Sequence, residues 1–237
     1  MKRFYREVTL APDGDGWRVL LDGRAIRTPG GLAQLLPTRA LAEAMAGEWA
    51  GQGEEIDPAA FALRDLADYA LDVAGPQHEQ VVAEVLAYAE TDTLCYRAEP
   101  EDALHRRQWE VWEPVLAGAE ARLAVKFERV SGIIHRAQPA ATLERLAALL
   151  READPFTLAA LRMLASLAAS LVIALEALEP RADADRLWAM AELEEEWQAE
   201  LWGRDAEAED RRAARLAAFA TAMRFAALAA GRETPLS

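Results

Sequence analysis

Carboxylates are the reactive side chains this sequence carries in quantity, with 40 Asp and Glu against 26 Lys and Arg. They pair at helical spacings, Asp65 with Asp68 and Glu90 with Asp92, and they crowd into "ELEEEWQAELWGRDAEAED" (192–210), which holds nine acids, one arginine and two tryptophans. Paired carboxylates can move protons or hold a divalent metal, but both uses need a cleft that perturbs their pKa values. A helical metal enzyme would also place a histidine three residues after a ligating glutamate. His78, His105 and His135 are far apart, and none has metal-ligand spacing with a cysteine or another histidine. They read as ordinary surface or helix-end histidines. Cys95 stands between Leu94 and Tyr96 and reads as a small buried hydrophobe rather than a nucleophile. Asp65 and Asp68 read as a solvated or arginine-paired face. "DGDG" (13–16) resembles the start of a calcium loop, but no bidentate glutamate follows at the required offset, so it is a turn. No phosphate-binding loop or dinucleotide fingerprint occurs, and no cofactor is expected.

The elements that must position these residues differ along the chain of 237 residues. Residues 1–37 alternate short β-forming runs with the turn signals DGDG, LDG and TPGG, which predicts a small antiparallel sheet of three or four strands. The texture changes at Thr38, an N-cap followed by an apolar stripe through Leu41, Met45 and Trp49 and a glycine stop. Helical patterns then run to the C-terminus. Gly75-Pro76 ends one, Pro114 should kink or break another, and Asp154-Pro155 should divide residues 141–178 into two helices. Residues 158–178 read as a buried core helix, and 124–132 as a short strand or a loop. The fold class is therefore α+β, with a small N-terminal antiparallel β domain and its covering helix (1–50) followed by a larger all-helical domain (51–237).

A net charge of -14 argues against a nucleic-acid partner, which demands a basic footprint. The single cysteine fits a reducing compartment. No apolar run is long enough to span a bilayer, and the first ten residues lack a signal-peptide core, so a cytoplasmic protein without membrane insertion is expected.

Placed on one continuous helix, Leu187, Met190, Leu193, Trp197 and Leu201 form a stripe. Glu192 and Glu195 face away from it, Glu196 and Glu200 flank it, and Glu194 falls near its centre. A carboxylate there needs an arginine or hydroxyl partner unless the stripe is partly exposed. Glu195 and Glu200 are expected to be accessible, and Glu194 partly buried and paired. Trp188 and Trp202 lie off the stripe. An aromatic anchor among carboxylates has the composition of a partner-binding patch.

Five blocks in order carry a specific resemblance. They are "KRFYREVTL" with "GWRVLLDGRAIRTP", then "PTRALAEAMAGEWAGQGEEIDP" with Glu48-Trp49 and Ile56-Asp57-Pro58, "YAETDTLCYRA", "RRQWEVWEPVL", and "LEEEWQAELWGRDAEAEDRR". Together they resemble the assembly chaperones for the alpha subunit of the F-type ATP synthase catalytic head, over nearly the whole chain. The resemblance implies a protein, expected to be a monomer, that binds the free alpha subunit and shields the apolar surface later taken by the beta subunit. It implies no ATP use, no catalytic residues and a β-rich domain joined to a helical one. Acidic residues of the last block matter in the family, and the matching positions are Glu194, Glu195, Glu200 and Asp205, with Trp202 beside them. Glu194 stands where aspartate is common and Leu201 where a polar residue is common. The lack of a presequence makes the chain resemble bacterial members. A carboxylate-based metal enzyme and a non-releasing adaptor are the alternatives.

Overall fold

The computed structural model describes residues 1–132 and 136–232; His135 lies outside the described residues. The chain begins with β1 (Val8–Asp13), β2 (Gly16–Leu21) and β3 (Arg24–Ala25). Helices α1 (Arg39–Ala50), α2 (Ala62–Tyr69), α3 (His78–Glu90) and α4 (Ala103–Leu123) follow, with β4 (Tyr96–Arg97) ahead of α4 and β5 (Val130–Ser131) after it. Helices α5 (Ala140–Glu152), α6 (Pro155–Ala168), α7 (Leu171–Glu176), α8 (Ala184–Ala191), α9 (Leu193–Trp202) and α10 (Ala206–Ala229) complete the order. This is the expected α+β class. No helix among the described residues is long and apolar enough to cross a membrane. The contacts separate two units, one of Met1–His78, Asp154–Ala160 and Thr221–Ser237, the other of Glu79–Ala153 and Leu161–Ala220.

In the first unit, β1, β2 and β3 form an antiparallel sheet in that order, with Asp13 opposite Gly16 and Leu21 opposite Arg24. The two turn signals do what their residues allow. Gly14 takes φ 58°, and Asp22 and Gly23 take φ 47° and 76°, the positive pair that a tight twisted hairpin needs. The Asp22 carboxylate also accepts from the backbone N–H groups of Arg6 (3.0 Å) and Glu7 (2.8 Å). Thr38 caps α1 by accepting from Leu41 N–H at 3.1 Å, and its hydroxyl donates to the Leu228 carbonyl at 2.6 Å. Leu41, Met45 and Trp49 are buried as the spacing predicts, and Trp49 packs against Tyr5 and Phe61. Helix α2 has no side-chain cap of its own. Glu48 of α1 supplies it, accepting from Leu63 N–H at 2.7 Å and Arg64 N–H at 3.0 Å. A wide π-type turn, Ala70–Ala74, continues α2.

In the second unit, Val81, Val82 and Val85 of α3, Trp112 and Leu116 of α4, and Leu171, Val172 and Ile173 of α7 are buried. Trp112 donates its indole N–H to the Met190 carbonyl at 2.9 Å, and Trp188 packs on Phe219. Strands β4 and β5 pair in parallel, Tyr96 with Val130 and Arg97 with Ser131. Around them Arg97 and Arg129 hold Glu113 at 3.0 and 2.8 Å, and Glu120 takes Arg129 and Lys126. Burial pushes both carboxyls up, but the guanidiniums outweigh it and leave Glu113 and Glu120 below their ordinary range.

Two expectations fail here for physical reasons, and of the two outcomes expected at Pro114 the break does not occur, because α4 continues through it. Its cost is one missing intrahelical bond, and buried Trp112 and Leu116 on either side anchor the helix. Residues 158–178 are not one helix, because Ala169 turns left-handed (φ 49°) and Ser170 caps a new one, accepting from Ile173 N–H at 3.0 Å. Residues 141–178 therefore hold α5, α6 and α7 where two helices are expected. Residues 187–201 are also not one helix. The chain leaves helical geometry at Glu192 (φ -96°, ψ 15°), which ends α8 and opens α9.

Candidate functional site

The acidic block occupies the end of α8, all of α9 and the start of α10, within the second unit. The break at Glu192 resets the helical phase, so the single-helix stripe fails at the break and beyond it. Glu192, expected to face away, is 5% exposed and holds Arg215 at 3.0 Å and Arg212 at 3.9 Å. Burial raises its carboxyl, with Arg215 and Arg212 working against the rise. Leu201, placed on the apolar stripe, is 59% exposed. Leu187, Met190 and Leu193, before and at the break, are buried.

Each remaining carboxylate of α9 has its own setting. Glu196 is half-buried and accepts from the Arg204 and Arg212 guanidiniums, which hold its carboxyl below the ordinary range. Glu200 is exposed and accepts from Arg107 Nη1 at 2.7 Å, which lowers it too. Arg107 also lies over the Trp197 ring, 5.6 Å from its centre. Glu194 is half-buried, and its partner is neutral: Gln108 Nε2 donates to Oε1 at 2.6 Å. Burial raises the Glu194 carboxyl and the neighbouring Glu195 raises it further. Glu195 is exposed. Trp202, the last residue of α9, is 79% exposed, and Gly203 turns the chain at φ 95°. Asp205 is exposed and caps α10 by accepting from Ala208 N–H at 3.1 Å.

The fold brings some of the five predicted residues together. Glu195, Trp202 and Asp205 line one groove of about 500 Å³ between α9 and the start of α10. Glu194 lines a separate open hollow of about 370 Å³ with Thr91, Thr93 and Tyr96. Glu200 sits in neither and is held by Arg107. The groove walls carry Arg204, Arg211, Arg212 and Arg215 as well as carboxylates, so the surface is amphiphilic rather than uniformly acidic.

Sequence reasoning missed the three hydroxyl residues around Glu194 and the role of Asp92 between them. The Asp92 carboxylate is fully buried and accepts from Ser170 Oγ (2.7 Å), Val172 N–H (2.9 Å) and Leu94 N–H (3.1 Å). It ties the "TDTLCY" segment to the start of α7. The repeated threonines of "ETDT", flanking an aspartate that can cap a short turn, were the available signal.

The other reactive side chains are structural. Cys95 is buried, and burial pushes its thiol up, away from thiolate chemistry. Asp65 is exposed beside Arg64 at 2.6 Å, whereas Asp68 is buried and accepts from Gln34 Nε2 at 2.6 Å. His105 stacks on Trp109, with ring centres 6.3 Å apart. Among the described residues no group of three or more His, Cys, Asp or Glu could hold a metal ion.

Comparison with known proteins agrees over most of the chain. The crystal structure of Atp12 from Paracoccus denitrificans superposes with a TM-score of 0.91 at 41% identity, covering 96% of this chain and 98% of that one. An aspartate-to-lysine mutant of the same protein matches equally, with a TM-score of 0.91. The Atu1473 protein from Agrobacterium tumefaciens has a TM-score of 0.90 at 37% identity over 95% of this chain and 85% of that one. In sequence, the mitochondrial protein atp12 of Schizosaccharomyces pombe is 24% identical over 214 residues, 85% of this chain and 74% of that protein. The model of the ATP12 chaperone protein family matches residues 2–120, half of the chain, from the first strand into α4. Matched by the family model over half its length and sharing its fold with Atp12 at 41% identity, the chain belongs to the ATP12 chaperone protein family.

Proposed function

We propose that this chain is an assembly chaperone that binds the free alpha subunit of the F-type ATP synthase catalytic head and covers its apolar interface until the beta subunit replaces it. The observation that carries the reading is the surface at the end of α9, where Trp202 is 79% and Leu201 59% exposed beside Glu195, Glu200 and Asp205. A tryptophan offers roughly 200 Å² of contact, and at about 25 cal/mol per Å² its burial contributes up to about 5 kcal/mol before the costs of association. The carboxylates around it set which partner is accepted more than how tightly it is held. The chain acts by binding, without ATP and without a catalytic step. Glu192, Glu196 and Glu200 are engaged by arginines, and Asp205 and Asp92 by helix starts, which leaves them poorly placed to shuttle protons.

The test is recovery of the isolated alpha subunit on the immobilised protein, together with suppression of its aggregation. Wild type should do both, and Trp202→Ser should lose most of each while melting as wild type does. Failure of wild type to retain the alpha subunit, or full protection by Trp202→Ser, would sink the reading.

A further inference from the structure

The acidic block is not evenly neutralised, and the exception has a definite place. Glu192, Glu196 and Glu200 each hold at least one arginine. Glu194 is half-buried, yet among the described residues no Lys, Arg or His forms an ion pair with it. Its partner is the side-chain amide of the fully buried Gln108, bound to one carboxylate oxygen. A second carboxylate, Glu195, follows it directly and makes the local potential more negative. A partly desolvated carboxylate left without a cation is costly. Here that cost coincides with an open hollow of about 370 Å³.

The rest of the lining fits a cation. Thr93 donates its hydroxyl proton to the Ala169 carbonyl at 2.9 Å, so what its oxygen still offers is lone pairs. Thr91 is exposed and adds a hydroxyl, and Tyr96 adds an aromatic side chain to the lining. One carboxylate with hydroxyl acceptors is too poor a donor set for a metal ion, which wants several charged ligands, and no group of such residues is present among those described. It matches an ammonium or guanidinium carried on a long apolar stem, whose methylenes can lie along the ring. Building on the chaperone reading above, we propose that Thr91, Thr93, Tyr96 and Glu194 form a socket that receives one lysine or arginine side chain of the bound protein. The hydroxyls come from the "ETDTLCY" block and the carboxylate from α9, which gives these two distant blocks one task.

Two measurements separate this proposal from the choice of client. In the first, affinity for the isolated alpha subunit is measured for wild type, Glu194→Gln and Glu144→Gln at low and high salt. Glu194→Gln keeps the size of the side chain and an acceptor for Gln108. It should weaken binding by about tenfold or more, the size of one charge-assisted hydrogen bond, and should remove much of the salt dependence. Glu144→Gln, exposed on α5 and outside both hollows, should stay within about threefold of wild type. A Glu194→Gln protein that binds within twofold of wild type overturns the socket. Thr91→Lys, at the exposed rim, places a cation in the hollow without touching Gln108 and should cause a loss of the same order; unchanged binding there also overturns it. In the second measurement, N-acetyl-arginine amide and N-acetyl-lysine amide are titrated into isotope-labelled protein. Shifts at the amides of Thr91, Thr93 and Tyr96 that vanish in Glu194→Gln support the socket. Absent shifts, or equal shifts in both proteins, overturn it even if the alpha subunit is not the client.

Discussion

Helix α2 with its wide turn, and helix α9, both carry several acids on a short helical span, and the fold uses them in opposite ways. In the first, Asp68 accepts from Gln34, and Asp72 accepts from the Thr28 hydroxyl at 2.6 Å and Gly30 N–H at 2.7 Å. These neutral donors come from one loop, so the carboxylates pin residues 28–34 in place. A side chain at residue 30 would come within 2.6 Å of the Asp72 carboxylate, which is why a glycine sits there. In the second, arginines of α4 and α10 take Glu196 and Glu200, while Glu194 and Glu195 form no ion pair among the described residues. Around α2, Asp68 and Asp72 fasten a neighbouring loop, whereas on α9 Glu195 and Glu200 stay exposed with their charge to offer. The sequence pattern alone does not separate the two cases, because the donors come from distant segments.

Substitutions can break this contrast, and the largest effect is expected at Asp92, the most completely buried tie of all. Asp92→Ala leaves Ser170 Oγ and the Val172 and Leu94 N–H groups without their acceptor and should cost about 4 kcal/mol in denaturant unfolding. A loss under about 1 kcal/mol would mean water replaces the carboxylate at little cost. Asp72→Ala should cost about 2 kcal/mol, since it removes two bonds and strands the buried Thr28 hydroxyl. Equilibrium unfolding at neutral pH measures both.

A smaller effect is set by pH. Burial lifts the Asp92 carboxyl to about 6, against the lowering by its hydrogen bonds to Val172 and Ser170. The folded chain therefore binds a proton that the unfolded chain, with an aspartate near 3.9, releases. A raised carboxyl adds stability as pH falls through its folded value toward its unfolded one. The gain from this group should be about 1 kcal/mol between pH 7 and pH 5, and Asp92→Asn should flatten the rise. Stability that falls over that window in wild type would contradict the assignment. At the small end, Glu200→Lys breaks only an exposed pair with Arg107 and should leave the unfolding midpoint close to that of wild type. It should still reduce protection of the alpha subunit, because the charge of the surface reverses. Full protection by Glu200→Lys would place Glu200 with the merely solvated acids.

Local chemistry made much of the fold legible. Gly14 and the Asp22-Gly23 pair mark the hairpins because only such residues take positive φ cheaply, and Thr38 marks the start of α1 because its hydroxyl can reach Leu41 N–H. The breaks at Ala169 and Glu192 are illegible for the complementary reason. Neither residue type favours leaving a helix, and tertiary bonds impose the departure. The Ala169 carbonyl takes both the N–H and the hydroxyl of Thr93, and Glu192 is drawn in by Arg215. At the site, the exposure of Glu195 and Glu200 and the partial burial of Glu194 match the expected pattern, although the single-helix phase behind it does not survive the break at Glu192. The partner of Glu194 is not legible in the spacing, because Gln108 lies 86 residues away on α4.

The remote cap on α2 bears on the order in which the chain becomes structured. Glu48 satisfies two orphan N–H groups at the start of a helix that begins fourteen residues after it. Alone, α2 is eight residues long, below the length at which helices persist in water. Its nucleation therefore waits for α1 to form and present the carboxylate, and for residues 51–61 to close the connection between the two helices. On a ribosome the dependence runs in the direction of synthesis: α1 emerges first, and α2 has its cap waiting. Once α2 stands, its wide turn presents Asp72 to the loop at Thr28 and Gly30, so the segment after the first hairpins is fastened last although it is made before either helix.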